Sequence, residues 1–318
     1  MTAVTLPAGK PCLRAATRRA AMSMLIVACA VCTVGCSTFR RNPVAENVVS
    51  ARQLSLRGMD AMQRNRWDEA EALFATAVET NPADERAHRR YAELLWRRGM
   101  RDQAIEHLEQ SLRLSGGDPE RLTQMGEMYL QQGDLDRAWW HTEEAIRTQR
   151  QLASAWALRG DILRRRQRLD DAMASYHRAL SYQPHYPHVQ VELAEVYREQ
   201  GRARRALATL DALVEQYGAE PAPTYVLSLQ GHALKSLRRF DEAVEVLTKA
   251  RNQGEPSMDL LHALAEAQWH AGDEASAGLT IHTALTRDPY HEPCRQLRKR
   301  IQEHQRTLTA SLGSGLDL

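Results

Sequence analysis

Side chains able to do chemistry are few in this 318-residue chain, and most stand where catalysis has no use for them. The five cysteines are Cys12, Cys29, Cys32, Cys36 and Cys294. Cys29 and Cys32 spell C-x-x-C, the spacing of a redox or zinc pair, but they lie within an apolar run that supplies neither chemistry with polar partners. His185 and His188 flank Tyr186-Pro187 and offer two imidazoles to a metal, with no third ligand evident. A solvated connection is the simpler reading. The chain has no G-x-x-x-x-G-K-[ST] to cradle phosphates, no H-E-x-x-H and no G-x-S-x-G elbow. No catalytic residue, metal or cofactor is therefore expected.

One cysteine does have a chemical context. Residues 1–35 contain Lys10, Arg14, Arg18 and Arg19 and no acid, and an apolar run from Ala20 to Val34 ends at Gly35-Cys36. A basic segment followed by a short apolar one reads as a secretory signal peptide. The run falls short of the ~20 residues needed to span a bilayer as a helix. Gly35-Cys36 resembles the lipobox of bacterial lipoproteins, although Thr33 stands where that family prefers an aliphatic residue. The resemblance implies that Cys36 is acylated and becomes the new N-terminus, with 1–35 removed and 36–50 serving as a tether. It also implies a periplasm-facing protein, and Ser37 in place of an aspartate favours the outer membrane. An uncleaved signal anchor is the alternative.

Cutting at Cys36 changes the electrostatics. The whole chain has 42 basic and 40 acidic side chains; without the leader it keeps 38 basic against 40 acidic. That balance argues against nucleic acid as a partner. Only Cys36 and Cys294 remain, so no disulfide framework is possible within the mature chain.

The rest of the chain is organised by a beat. Ala70, Ala104, Ala138, Ala172 and Ala206 recur every 34 residues, and Ala243 and Ala277 continue the series. Twelve residues before each alanine stands a small residue: Gly58, Ala92, Gly126, Gly160, Ala194, Gly231 or Ala265. Four residues after it stands a large one, from Phe74 to Ile281, with Thr142 the exception. Small side chains let two antiparallel helices approach closely, and the large ones fill the space opposite. Gly99, Gly133, Gly201 and Gly272 fall where a first helix would end on a left-handed residue. Pro82, Pro184 and Pro289 fall where the second must stop.

This pattern resembles the tetratricopeptide repeat, or TPR, a helix–turn–helix unit of 34 residues. The resemblance implies an all-α fold, a right-handed superhelical solenoid of about seven repeats at 51–84, 85–118, 119–152, 153–186, 187–220, 224–257 and 258–291. His88 and Gln190 replace the bulky residue expected near the start of the first helix in two repeats. Tyr217–Pro223 lengthens one connection by three residues, a place where the solenoid could bend. Cys294, Leu297 and Ile301 recur at helical spacing over 292–306, as a capping helix needs. Residues 307–318 read as a disordered tail.

In that family the first helices line a concave groove that grips peptides or partner helices. Glu93, Glu127, Asp161, Glu195 and Glu266 occupy one column expected to face it, and Trp96 and Trp269 another. As a binding surface these form an acidic ladder with two aromatic anchors, suited to a basic or amphipathic segment. Alternatively Glu93 pairs with Arg97, Asp161 with Arg165 and Glu195 with Arg198 along their own helices. The weight falls on pairing for the charges and on binding for the tryptophans. The dicarboxylate clamp of cytosolic chaperone adaptors needs lysine, arginine and asparagine there, so that role is not expected. The layout is similar to TPR lipoproteins that assist pilus secretin or outer-membrane protein assembly, or that recruit peptidoglycan hydrolases. The implied function is a non-catalytic, lipid-anchored scaffold for a protein or peptide partner. A docking subunit of an envelope enzyme or polysaccharide export system is the alternative.

Overall fold

A computed structural model describes residues 43–314 of the chain. Expectations for Cys36 and the leader lie outside the described residues. The described residues are helices joined by short turns, with no strand among them. They divide into two compact units at Leu114/Ser115.

The first unit contains α1 (Pro43–Gln63), α2 (Trp67–Thr80), α3 (Glu85–Arg97) and α4 (Arg101–Leu114). Helix α1 begins eight residues before the first repeat boundary, so the second half of the anticipated tether is helical. The cause is local: after Pro43, a good first helical residue, no glycine or proline intervenes until Gly58. Ala61, Ala70, Phe74 and Leu94 form the core of this unit. A Cβ on Gly58 would come within 3.0 Å of the Phe74 ring, which explains the small residue in that column. Asp84 caps α3, its carboxylate accepting from the Arg86 and Ala87 amides at 3.0 and 3.1 Å.

His88, which stands in place of the expected bulky residue, is buried and satisfied. Its Nε2 lies 3.2 Å from the Pro82 carbonyl, which can only accept, so Nε2 carries the proton. In the neutral ring Nδ1 then accepts from His107 Nδ1–H at 3.0 Å. Burial lowers the pKa of both rings.

The second unit contains α5 (Pro119–Gln132), α6 (Leu135–Thr148), α7 (Ala153–Arg165), α8 (Leu169–Tyr182), α9 (Pro187–Glu199), α10 (Ala203–Tyr217), α11 (Thr224–Ser236), α12 (Phe240–Arg251), α13 (Met258–His270), α14 (Glu274–Arg287) and α15 (Glu292–Ser314). Each odd helix packs antiparallel on the even one that follows, down to α13 on α14. Every marker alanine, in both units, is buried. On Gly126 a Cβ would meet Leu158 at 2.8 Å and Thr142 at 2.9 Å; on Gly160 and Gly231 it would collide with Tyr176 and Leu247. At Gly58, Gly160 and Gly231 the large residue four after the alanine thus fills the space vacated twelve before it, and at Gly126 Leu158 makes up for the small Thr142.

The long connection at 217–223 does not interrupt the core. One cluster of buried side chains runs from Ala157 to Ala267, and Gln253 Nε2 ties the connection down by donating to the Ala222 carbonyl at 3.0 Å. Gln190 is buried without a partner for its Oε1, unlike His88. Cys294, Leu297 and Ile301 are buried against Leu261, Ile281 and Leu285, so α15 caps the last repeat, with Arg295, Arg298, Lys299 and Arg300 facing solvent. The backbone of α15 runs on to Ser314, past the expected start of the tail at 307, because no glycine or proline occurs between Pro293 and Gly313.

Candidate functional site

The first helices of each unit carry the candidate surface, and the two units equip it differently. In the first unit α1 and α3 border a cavity of about 830 Å³, against about 470 Å³ for the cavity beside Asp161 and Arg164 in the second unit. Helix α1 contributes Val48, Arg52, Ser55, Leu56 and Met59, and α3 with its preceding turn contributes Asp84, Arg86, Arg89 and Arg90. A smaller hollow continues along the same helices past Met59 and Arg90 to Met62 and Arg97. The result is a trough with an apolar rail on α1 and guanidinium groups on α3. Leu56 is 58% exposed and Val48 44% exposed.

Glu93 lies in this trough but its charge is engaged. Arg90 and Arg97 each approach one of its carboxylate oxygens at 3.1 Å. The own-helix pairing with Arg97 is therefore present, and Arg90 adds to it. Trp96 is half-buried, with the Arg101 guanidinium 5.8 Å from its ring centre.

In the second unit Glu127, Asp161, Glu195 and Glu266 sit on α5, α7, α9 and α13 among polar neighbours. Asp161 accepts from the Tyr176 hydroxyl at 2.7 Å and lies 3.6 Å from His188 Nε2; it does not pair with Arg165. The hydrogen bond to Asp161 raises the His188 pKa. Glu127 has solvent access at its surface, yet the protein around its carboxyl raises its pKa, and the Asp161 charge adds to the rise. Glu195 pairs with Arg198 at 2.6 Å as anticipated.

Two cations in this unit reach across repeats. Arg164 on α7 bonds Glu192 and, at 2.6 Å, Glu199, and lies 3.5 Å from Glu195, all three on α9. Lys235 on α11 bonds Glu266 on α13. Sequence reasoning limited to neighbours on one helix missed these. The period itself contains the signal, since residues about one repeat apart stand side by side on successive first helices. Leu130, Asp161, Arg164, His188, Glu192 and Glu199 line the cavity here, and its charges largely answer one another.

Trp269 is half-buried and packs against the cluster formed with the capping helix. The ring rests on that core, so packing holds it in place without a ligand. His185 is exposed, and His188 is engaged with Asp161. Among the described residues no group of three histidine, cysteine, aspartate or glutamate side chains could hold a metal. Nor is any described helix long and apolar enough to cross a membrane.

Each unit is a run of helix–turn–helix pairs, and the first-helix face of the first unit bears the trough. Tetratricopeptide repeat models match residues 56–119, 123–187 and 228–292, and a second such model matches 163–227. The chain belongs to the tetratricopeptide repeat family. Among solved structures it is similar to a tetratricopeptide repeat protein from Parabacteroides merdae: TM-score 0.56, 14% identity, over 80% of this chain and 99% of that one. It is also similar to pilF of Pseudomonas aeruginosa, with a TM-score of 0.59 and 16% identity over 70% of this chain and 99% of that one. At these identities the likeness concerns the fold alone. No curated protein matches the sequence. Proteins of this family are typically non-catalytic interaction scaffolds, and the fold suggests that role here.

Proposed function

We propose that the chain is a non-catalytic scaffold that holds a protein or peptide partner against the first-helix faces of its repeats. The observation that carries this reading is the trough between α1 and α3, where exposed apolar side chains and arginines line a single hollow. Apolar surface of this kind, rimmed by charge, is what partner sites present. The polar sites of the second unit are the place for further contacts.

The reading extends to location. The leader and Gly35-Cys36 support lipid attachment at Cys36, a periplasm-facing position, and a task in assembling an envelope complex of the pilus-secretin or outer-membrane type. Labelling with a fatty-acid analogue is expected to mark the chain and to be lost in Cys36→Ser; continued labelling of that variant would remove the lipid anchor from the proposal.

A photo-crosslinking residue placed at Leu56 or at Leu130 tests the scaffold role in cells that produce the protein. Protein adducts are expected at first-helix positions and not at Leu279, which is exposed on the second helix α14. Absence of adducts from both first-helix positions would defeat the scaffold reading.

A further inference from the structure

We infer that the trough between α1 and α3 receives an amphipathic segment whose charged face is acidic, the opposite sign to the ligand that the glutamate column suggests. This rests on the reading that the array binds a protein partner, and names the chemistry of that partner at one site.

Charge is the first argument. Arg52, Arg86, Arg89 and Arg90 line the hollow against two carboxylates, Asp84 and Glu85. Asp84 is occupied in capping α3, where it accepts two backbone amides. Arg86 is exposed, with Glu85 no nearer than 3.9 Å, and Arg52 has no carboxylate partner among the described residues. Glu93, the acid expected to draw a basic ligand, is held between Arg90 and Arg97. The field in the trough is positive, and a lysine-rich segment would meet repulsion there.

Shape and polarity supply the second. Val48 and Leu56, two turns apart with Arg52 between them, and Met59 one turn further place apolar groups along one side of α1, as an apposed helix needs. Ser55 lies among them. It is 9% exposed, and its hydroxyl has no hydrogen-bond partner although it lines the hollow. A buried hydroxyl left unpaired is costly, and a turn of the Ser55 side chain toward the hollow would let an incoming carboxylate or carbonyl oxygen satisfy it. An anionic bilayer shares the sign of the proposed ligand, but a flat surface does not reach a hydroxyl at the bottom of a trough.

The test uses the full chain in neutral detergent and two fluorescent peptides of about 14 residues, four helical turns. Both carry leucines at the same i, i+3, i+4 and i+7 positions; one has glutamate and the other lysine on the remaining face. The glutamate peptide is expected to bind at least about tenfold more tightly, and Arg52→Glu with Arg86→Glu to cancel that preference, with helicity unchanged. Leu56→Glu should weaken binding by about tenfold while leaving the fold intact. Equal binding of the two peptides, or a preference that survives both arginine reversals, would overturn the proposal. So would displacement of the peptide by short-chain phosphatidylglycerol and not by phosphatidylcholine, which would assign the trough to lipid. Self-association of the chain abolished by Leu56→Glu would assign it to a second copy, and would overturn it too. If the peptide fails while a crosslinker at Leu130 still captures a protein, this inference falls and the scaffold role stands; if neither position captures one, both fall.

Discussion

The first-helix faces of the two units use the same residue types to opposite ends. In the first unit the arginines around Leu56 outnumber the acids, and two of them, Arg52 and Arg86, are exposed; in the second, Arg164 is surrounded by Glu192, Glu195 and Glu199, and Lys235 is bonded to Glu266. One surface leaves Arg52 and Arg86 without a close carboxylate, whereas the other uses its cations to join adjacent repeats. Net composition hides the difference, since basic and acidic side chains nearly balance over the chain. A column of acids is therefore informative only together with the cations one repeat away.

The largest expected effect concerns the packing that both surfaces rest on. Gly58 and Gly160 hold the same repeat position, but a Cβ on Gly58 touches the Phe74 ring at 3.0 Å while one on Gly160 overlaps the Tyr176 ring outright. Gly160→Ala should cost about 2–3 kcal/mol and Gly58→Ala about 1 kcal/mol, read from thermal melts followed by circular dichroism. Because repeats couple mainly to their neighbours, the loss should appear as a broadened transition. Equal costs would mean that the two units tolerate crowding alike, and the contrast in packing would disappear.

Next come the cations. Arg164→Met leaves three partly buried carboxylates facing one another and should destabilise the second unit by about 1–2 kcal/mol. Arg86→Met removes an exposed group with only a distant partner and should stay within about 0.5 kcal/mol. Urea denaturation of both variants decides whether the first unit's arginines are free for a ligand. A large cost at Arg86 would show that they are structural after all.

These contrasts bear on how far the sequence could be read. The alanine period located every helix pair, and the Gly58/Phe74 and Gly160/Tyr176 columns foretold which side chains meet. Cys294, Leu297 and Ile301, recurring at helical spacing, are the side chains that α15 buries. The own-helix pairs Glu93–Arg97 and Glu195–Arg198 were legible, because i, i+3 and i, i+4 neighbours need only one helix. Asp161 was not, since its partners Tyr176 and His188 come from the next two helices. The trough was missed for a different reason. Val48 and Arg52 straddle the start of the first repeat, and Arg89 and Arg90, four and three residues before Glu93, lie outside the periodic columns.

Acidification should weaken both units through their histidines, most of all at His141. Burial, with the Arg137 charge adding to it, lowers the His141 pKa in α6 to about 4. A ring held below its unfolded value near 6.5 binds fewer protons when folded, so its contribution is complete above about pH 6.5 and is lost as pH falls toward 4. After allowance for the solvent access of this half-buried ring, about 1–2 kcal/mol is expected to go. His88 and His107 shift in the same direction in the first unit; His188 shifts upward, so its small contribution fades instead as pH rises. Hydrogen exchange near pH 7 and near pH 5 should show α5 and α6 losing protection, and His141→Gln should reduce that loss. Unchanged protection there would place the acid sensitivity elsewhere.

The smallest effect tests the turns that hold the helices of each repeat together. Gly99, Gly133, Gly201 and Gly272 take positive φ five residues before their marker alanines, as the sequence indicates. The same position in the other three repeats is also left-handed without a glycine: Asn65 at φ 58°, Gln167 at 61° and Arg238 at 59°. A side chain with a Cβ pays roughly 1–2 kcal/mol in this region, and asparagine is the residue that bears it most easily. Glycine also loses more conformational freedom on folding, which offsets part of the relief. Gln167→Gly and Arg238→Gly in the second unit should therefore gain up to about 1 kcal/mol each, while Asn65→Gly in the first should stay near zero. Parallel melts of the three variants measure the difference directly. A gain at Asn65 equal to the others would show that residue type does not distinguish the units at this turn, and that backbone strain is shared evenly along the array.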